Sequence, residues 1–331
     1  MTACRSRLGA SVLGIWFVFF AACLSDNRAQ EAATVSAKNS VCPTGGAAFA
    51  DPLSKPHWNG WGVDPMQHRF QPADMARLAP SDAPRLKLKW AFGFPGAKRS
   101  VAQPTIFGGR VFVGSQNGKV YSLDAKSGCT YWDFDAGKGV RSAVVVGPQG
   151  DGWAAYFGDL GANVHSIDAL TGKELWTNKV DDHPAAVITG SPTLVGTTLF
   201  VPVSSYEEAT GANPSYQCCS FRGSVVALDA STGKVLWKAY TIAQEAKPGA
   251  VNATGVQLLG PSGAAIWSAP TYDSATRRIY VTTGDNYSDP PTETSGRLPC
   301  PRSRFRHGGL VAPNNLARRI HHRMPIGGQL P

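Results

Sequence analysis

The sequence lacks the features that mark several common classes of protein. Only 17% of its 331 residues are charged, and no Cys-x-x-Cys-His motif occurs, so no covalent haem c is expected in this chain. Cys42 has no second cysteine at zinc-site spacing, so a structural zinc is not indicated. The net charge of +9 lies at the two ends of the chain, because residues 8–296 hold 23 basic and 23 acidic side chains. A neutral body argues against nucleic acid as a partner, which needs a clustered excess of Lys and Arg.

The first 30 residues are typical of an export signal. Arg5 and Arg7 precede an apolar run from Leu8 to Leu24, which is short for a bilayer interior of about 30 Å. We therefore predict a Sec signal peptide at residues 1–30 and a periplasmic or secreted protein. Phe20-Ala21-Ala22-Cys23 also resembles a bacterial lipobox, so lipidation at Cys23 stays open as the route to a membrane.

The body of the chain repeats the pattern apolar-Asp-Ala-x-(Ser/Thr)-Gly-x-x-x-Trp. Three copies align without gaps: Leu123 to Trp132, Ile167 to Trp176, and Leu228 to Trp237. Alternating apolar residues precede each copy, and Gln116-Asn117-Gly118 is predicted as the hairpin turn between two such strands. Asp with Ser or Thr suits a tight turn, and Gly suits its left-handed position.

The spacing of the repeats predicts an all-β propeller of four-stranded blades. Trp90, in the segment from Leu86 to Phe92, is predicted to end the same type of strand, so the Trp steps are 42, 44 and 61 residues. The long step contains an insertion from Ser204 to Gln217. We predict an N-terminal entry segment at residues 31–85 and a partial propeller of about four to five blades at 86–295.

The docking pattern, clearest from Val226 to Trp237, resembles that of the eight-bladed quinoprotein alcohol dehydrogenases, which bind pyrroloquinoline quinone (PQQ). The segments His57 to Asp64 and Arg69 to Gln71 resemble the entry strand of that family, in a form most similar to polyvinyl alcohol dehydrogenases; Met66 to His68 depart from it. The resemblance runs from Trp58 to Ser295, which is about the first half of a family member.

The resemblance implies oxidation of alcohols in the periplasm with PQQ and calcium as cofactors and cytochrome c as the electron acceptor. Polymeric secondary alcohols such as polyvinyl alcohol are the substrate class that it suggests. Non-catalytic propellers that assemble envelope proteins share the docking motif, so a scaffold is the alternative function.

Three residues match positions that hold the quinone in the family. Trp267 would form the floor on which the quinone stacks, worth about 1 kcal/mol beyond burial; the other interpretation is a Trp between blades. Arg141 and Thr189 would bind its carboxylates and quinone oxygens, since guanidinium groups form bidentate, charge-assisted bonds. A structural salt bridge is the other interpretation of Arg141.

Calcium ligands and a catalytic base are implied by the same resemblance. Asn286, with Asp285 inserted before it, matches a calcium-binding Asn, and Glu207 or Glu208 matches a second ligand. An Asp-Asn turn and a solvated acidic loop are the other interpretations. Asp289 is the candidate catalytic base, and Glu293 is a weaker one.

The cysteines outside the signal and the last residues form an even set: Cys42, Cys129, Cys218 and Cys219. Family enzymes often hold a disulfide between adjacent cysteines against the quinone, so the resemblance implies that Cys218 and Cys219 contact the cofactor, although the family's pair lies in an earlier blade. Two pairings therefore stay open: Cys218 with Cys219, or one of these with Cys42 or Cys129.

Residues 296–331 have an aberrant composition, with seven Arg, three His and five Pro but no Lys, Asp or Glu. GC-rich codons read out of frame produce such a sequence, so we predict a disordered tail and loss of the reading frame near Ser295 or Gly296. The chain would then be a truncated, open ring that does not close a cofactor site. A true basic extension for anionic polymers or lipid is the alternative.

Overall fold

The computed structural model describes residues 40–43, 48–49 and 51–288, all of them within the compact unit Ala37–Pro331. The signal peptide, Asp289, Glu293 and the tail at 296–331 lie outside the described residues and stay predictions. Within the described ranges, no helix has both the length and the apolar character of a membrane span.

The regular structure of the described chain is mainly antiparallel sheet. The entry segment holds helix α1 (Ala73–Ala76) and a 3-10 helix (Pro80–Arg85). The first blade contains β1 (Thr105–Phe107), β2 (Arg110–Gly114), β3 (Lys119–Asp124) and β4 (Thr130–Asp135). The second blade contains β5 (Val145–Gln149), β6 (Gly152–Gly158), β7 (Asn163–Asp168) and β8 (Glu174–Lys179).

The third blade carries the predicted insertion. It contains β10 (Thr193–Val195), β11 (Thr198–Ser205), β12 (Ser224–Asp229) and β13 (Val235–Tyr240), and the short β9 (Ala186–Val187) pairs with the end of β11. Helix α2 (Glu207–Thr210) lies in the loop between β11 and β12. A hairpin of β14 (Lys247–Val251) and β15 (Gln257–Gly260) follows, and β16 (Thr271–Asp273) with β17 (Arg278–Tyr280) begins a fourth blade. The all-β class with four-stranded blades is confirmed.

The repeated turns have the predicted conformation. In the second blade, Asp168 Oδ1 accepts hydrogen bonds from the backbone N–H and the hydroxyl of Thr171, both at 2.7 Å. Gly172 follows in the left-handed region with φ of 76°. Equivalent bonds and glycine conformations occur in the first and third blades.

The first three repeat Trp residues each dock on the turn of the following blade. The indole of Trp132 lies against Gly172, where an added Cβ would be 2.8 Å from the ring, and its Nε1 donates to the Ala169 carbonyl at 3.2 Å. Trp90 and Trp176 dock in the same way. The prediction that residues 86–92 form a strand is wrong, because none of the described strands pairs with them and a strand needs a hydrogen-bonded neighbour.

Apolar layers between the blades form the core. Phe112, Phe157 and Ile167 belong to the layer between the first and second blades, and Tyr156 and Leu228 belong to the layer between the second and third. All five side chains are fully buried. Each contributes about 1.5–3 kcal/mol by leaving water, which stabilises neighbouring blades against each other.

The strand order decides where the loops meet. Successive strands of an antiparallel blade run in opposite directions, so the connections alternate between its two ends. The docking turns, between third and fourth strands, lie at one end, which we call the turn end. The links between blades and the loops between second and third strands lie at the other end, the connector end. β10 contacts both β5 and β16, so the first strands of successive blades are neighbours and are called the inner strands.

Candidate functional site

All the predicted site residues within the described ranges lie at the connector end. Arg141, Thr189 and Trp267 each stand four residues before the start of an inner strand, in three successive blade positions. Glu207, Glu208, Cys218 and Cys219 lie in the loop between β11 and β12, and Asn286 follows β17. The three residues predicted to bind the quinone are thus structurally equivalent, which their sequence contexts do not reveal.

Thr189 and Trp267 are brought together by a close backbone approach. A Cβ added to Gly190, next to Thr189, would lie 3.0 Å from the Trp267 carbonyl oxygen, so only glycine fits without a shift. The Trp267 indole packs on Gly284, where an added Cβ would be 2.6 Å from Nε1. The side chain is nevertheless 36% exposed, so part of the fixed indole faces outward.

The Thr189 hydroxyl is already engaged within the protein. It lies 2.9 Å from Ser204 Oγ, and Ser204 Oγ lies 3.1 Å from the Val187 carbonyl, to which it donates. Since a hydroxyl has one proton, Thr189 is the donor to Ser204 and presents lone pairs elsewhere. Donation from Thr189 to a quinone oxygen would require its hydroxyl to turn away from Ser204.

Arg141 has an exposed side chain at the start of the neighbouring blade. Two residues along the chain, the Ala143 N–H donates to Ser191 Oγ at 2.7 Å, which ties this segment to the one that carries Thr189. Among the described residues no carboxylate lies within ion-pair distance of Arg141, so the salt-bridge interpretation gains no support. An exposed guanidinium and an exposed indole at the same end of the blades are the side-chain types that suit a flat, anionic aromatic ligand.

The structure separates the two acids that the sequence left equivalent. Glu207 is fully buried, whereas Glu208 is exposed. The Glu207 carboxylate accepts hydrogen bonds from the Ser220 and Phe221 N–H groups at 2.9 and 2.8 Å and from the Tyr216 hydroxyl at 3.1 Å. Glu207 therefore anchors the loop that carries the cysteine pair.

The environment of Glu207 keeps it ionised. Burial alone would raise its pKa, but His183, 3.4 Å away, and the backbone donors Ser220 and Phe221 together hold the pKa below its ordinary value. A buried, ionised carboxylate with three donors can supply few further lone pairs to a metal.

The Asn286 amide, which is predicted to bind calcium, is already engaged within the protein. Asn286 Oδ1 accepts from the Ser288 N–H at 2.9 Å, and its Nδ2 donates to the Ser288 carbonyl at 2.9 Å. No three His, Cys, Asp or Glu side chains between residues 51 and 288 are close enough together to hold a metal ion. The residues as arranged do not fit a calcium site, and calcium at Asn286 and Glu207 or Glu208 stays a prediction.

The cysteines form two disulfides, Cys42–Cys129 and Cys218–Cys219, so the adjacent pair is bonded. The Cys219 N–H donates to the Leu259 carbonyl, and the Leu259 N–H donates to the Cys218 carbonyl, at 3.2 and 2.8 Å. This exchange holds the pair against β15. Contact of the pair with a quinone stays a prediction.

Tyr287 is a site residue that the sequence pattern did not reveal. Its hydroxyl is buried and has no hydrogen-bond partner among the described residues. Burial raises the pKa of Tyr287, and the carboxylates of Glu208, Glu207 and Asp285 raise it further. Its position directly after Asn286 was the only sequence feature that could have indicated a role at the site. The phenol is neutral and lies among three acidic side chains.

The fold and this site define the class of protein: a tryptophan-docked β-propeller with an exposed Trp at the connector end. A family model, PQQ_2, described as outer membrane protein assembly factor BamB, matches residues 74–254. The match covers more than half of the chain, so the chain belongs to this family.

Curated relatives confirm the predicted resemblance to quinoprotein alcohol dehydrogenases. The chain is 47% identical over 242 residues to a polyvinylalcohol dehydrogenase of Pseudomonas sp, covering 72% of this chain and 37% of the relative. It is 46% identical over 242 residues to the Sphingopyxis sp. (strain 113P3) enzyme, covering 72% and 36%. The chain thus spans little more than a third of the length of these relatives.

A solved structure supports the fold. Quinohemoprotein alcohol dehydrogenase ADHIIG from Pseudomonas putida HK5 superimposes with a TM-score of 0.57 at 23% identity, covering 75% of this chain and 37% of that one. At this identity the likeness shows the propeller architecture alone.

Proposed function

We propose that this chain contributes the first blades of a periplasmic, PQQ-dependent alcohol dehydrogenase that passes electrons to a cytochrome c. The observation that carries the proposal is that Trp267, Thr189 and Arg141 occupy equivalent positions, each four residues before an inner strand, in successive blades. The 46–47% identity to two polyvinylalcohol dehydrogenases supports polymeric secondary alcohols as the substrate class.

PQQ, when bound, would supply the two-electron redox chemistry of alcohol oxidation. Trp267 would support the flat face of the ring system, because its indole packs on Gly284 and its backbone carbonyl lies close to Gly190. Arg141 would pair with the carboxylates. Removal of the alcohol proton is proposed for Asp289, which lies outside the described residues, and no step is assigned to calcium.

Quinone binding can be tested by titrating the purified chain with PQQ and following tryptophan fluorescence. Trp267 and Trp61 are matched, with 36% and 37% exposure, but Trp61 lies in the entry segment. We expect Trp267→Ala to weaken PQQ binding by about tenfold or more and to remove most of the quenching, because stacking and burial are both lost. Trp61→Ala should leave both unchanged; equal effects of the two variants would contradict the proposed site.

The expected binding of PQQ by the purified chain differs from what an open, truncated ring implies. From the sequence, a truncated ring is not expected to close a cofactor site, whereas in the structure the Thr189 and Trp267 segments already lie together. Reading the nucleotide sequence beyond codon 295 in all frames tests the predicted frame loss. An Asp-x-x-Thr-Gly-x-x-x-Trp motif in another frame would support it, and an intact frame with a matching transcript would contradict it.

The second candidate function is a non-catalytic scaffold for envelope protein assembly, which the description of the matching family model favours. A scaffold does not need an exposed Trp packed on glycine and an exposed Arg at equivalent positions of its blades. Absence of any PQQ binding, combined with wild-type stability of Trp267→Ala, would favour the scaffold.

A further inference from the structure

The entry segment crosses the inner strands of four successive blade positions. The Trp58 N–H and carbonyl pair with Ile106 of β1 at 2.8 and 2.9 Å. The side-chain amide of Asn59 forms the pair of hydrogen bonds that a neighbouring strand would form with β5. Its oxygen accepts from the Val146 N–H at 2.8 Å, and its nitrogen donates to the Val146 carbonyl at 2.7 Å. Further along, the Pro65 carbonyl accepts from the Tyr272 N–H of β16 at 2.8 Å.

The inner strands are also joined directly by two equivalent threonines. Thr105, the first residue of β1, donates its hydroxyl proton to the Val144 carbonyl, just before β5. Thr193, the first residue of β10, donates in the same way to the Pro270 carbonyl, just before β16, at 2.6 Å. Each threonine therefore joins its own inner strand to the segment that leads into another.

The entry segment donates a hydrogen bond to both of these threonines. The Gly60 N–H donates to Thr105 Oγ1 at 3.2 Å. Gln67 Nε2 donates to Thr193 Oγ1 at 3.1 Å and also to the Pro270 carbonyl at 3.2 Å. Because the Pro270 carbonyl can only accept, the orientation of the Gln67 amide follows from its partners.

The Gln67 amide bonds two segments that each carry a residue of the candidate quinone site. Thr193 follows Thr189 by four residues, and Pro270 follows Trp267 by three. Gly62 makes room for this side chain, since an added Cβ there would lie 2.3 Å from Gln67 Oε1. The Oε1 atom is buried and has no hydrogen-bond partner within the described ranges, so the side chain is held by its two donor bonds.

We propose that Gln67 is a positioning residue, which sets the spacing between the Thr189 and Trp267 segments by bonding Thr193 and Pro270 at once. The inference rests on the proposed function for its link to PQQ. The entry segment as a whole acts as an internal tie across the inner strands, which supports their arrangement independently of ring closure.

The test compares Gln67→Met with Gln71→Met in the full chain. Methionine has a similar volume but no amide, and Gln71 donates only locally, to the His57 carbonyl at 2.8 Å. Hydrogen exchange at residues 186–194 and 264–272 should accelerate about tenfold in Gln67→Met under native conditions, and the PQQ dissociation constant should rise by a similar factor. Gln71→Met should change neither.

A purely structural role would lower the melting temperature without these local changes, and that result would overturn the proposal. Thr193→Val provides a second variant if Gln67→Met does not fold, because it removes the shared hydroxyl while keeping the shape. If the wild-type chain binds no PQQ, the proposed function fails, whereas the exchange measurement still decides whether Gln67 ties the two segments. Unchanged exchange in folded Gln67→Met or Thr193→Val would refute the tie.

Discussion

The docking turns allow the most quantitative prediction, because two glycines of the second blade share a left-handed backbone conformation but differ in their contact with a Trp ring. Gly150, in the turn between β5 and β6, and Gly172 both have positive φ, 54° and 76°. A Cβ at Gly150 would meet no atom within 4 Å, whereas one at Gly172 would lie 2.8 Å from the Trp132 ring. Comparing alanine substitutions at the two positions therefore separates the energetic cost of backbone strain from the cost of the contact with the Trp ring.

The expected magnitudes follow from these two terms. Alanine at a left-handed position costs about 1–2 kcal/mol, so Gly150→Ala should lower the free energy of unfolding by that amount. Gly172→Ala has the same strain plus overpacking against a ring that the blade holds in place, which typically costs about 1–3 kcal/mol. Its total loss should be roughly 2–5 kcal/mol.

Urea unfolding followed by circular dichroism measures both losses, and equal m values show that the unfolded states are comparable. Trp132→Phe in the Gly172→Ala background should recover part of the excess, because the smaller ring leaves room for the methyl group. Equal losses in Gly150→Ala and Gly172→Ala, within about 0.5 kcal/mol, would refute the role of docking in blade association.

Three further predictions follow from two buried carboxylates and a disulfide. Glu207→Gln should destabilise the protein by about 1–3 kcal/mol at neutral pH while Glu208→Gln is neutral, and thermal melts should show the difference shrinking in acid. The lowered pKa of Glu207 means that its contribution is complete above its ordinary pKa and is lost as pH falls through the lower, folded-state value; a constant difference from pH 7 to 3 would contradict this. Cys42→Ser should cost about 4 kcal/mol by opening the loop to Cys129, measured by denaturant unfolding, and no loss would mean the bond is absent in solution. Hydrogen bonds from His165 and Asn163 outweigh burial and lower the pKa of Asp159. Asp159→Asn should therefore reduce the loss of unfolding free energy in acid, and an unchanged dependence of stability on pH would contradict this role of Asp159.

Local chemistry accounts for the parts of the fold that the sequence predicted well. The Asp-x-x-Thr-Gly turns form through bonds between residues three apart, so their pattern is visible in a single copy and convincing in three. The segment of Trp90 shows the limit of this reasoning. Its alternating residues predicted a strand, but a strand exists only with a neighbour, and the indole docks as predicted although the backbone does not pair.

The candidate site depended more heavily on contacts between distant residues. The chain pattern could not distinguish Glu207 from Glu208, because adjacent acids differ only in which one the β11–β12 loop turns inward. It also left the disulfides open, since pairing depends on the path of the chain between Cys42 and Cys129. Tyr287 could not be predicted as a site residue, because the burial of its hydroxyl among three acids arises only when the loops assemble.

The sequence by itself determined the repeat, the blade type and the resemblance to quinoprotein dehydrogenases, because these depend on short-range turn chemistry and on periodicity. Only the tertiary structure decided that Arg141, Thr189 and Trp267 occupy equivalent positions, and that Gln67 reaches two inner strands more than 120 residues away in sequence. Packing of the inner strands around the entry segment brings these groups together, and no local pattern encodes which distant strands will become neighbours.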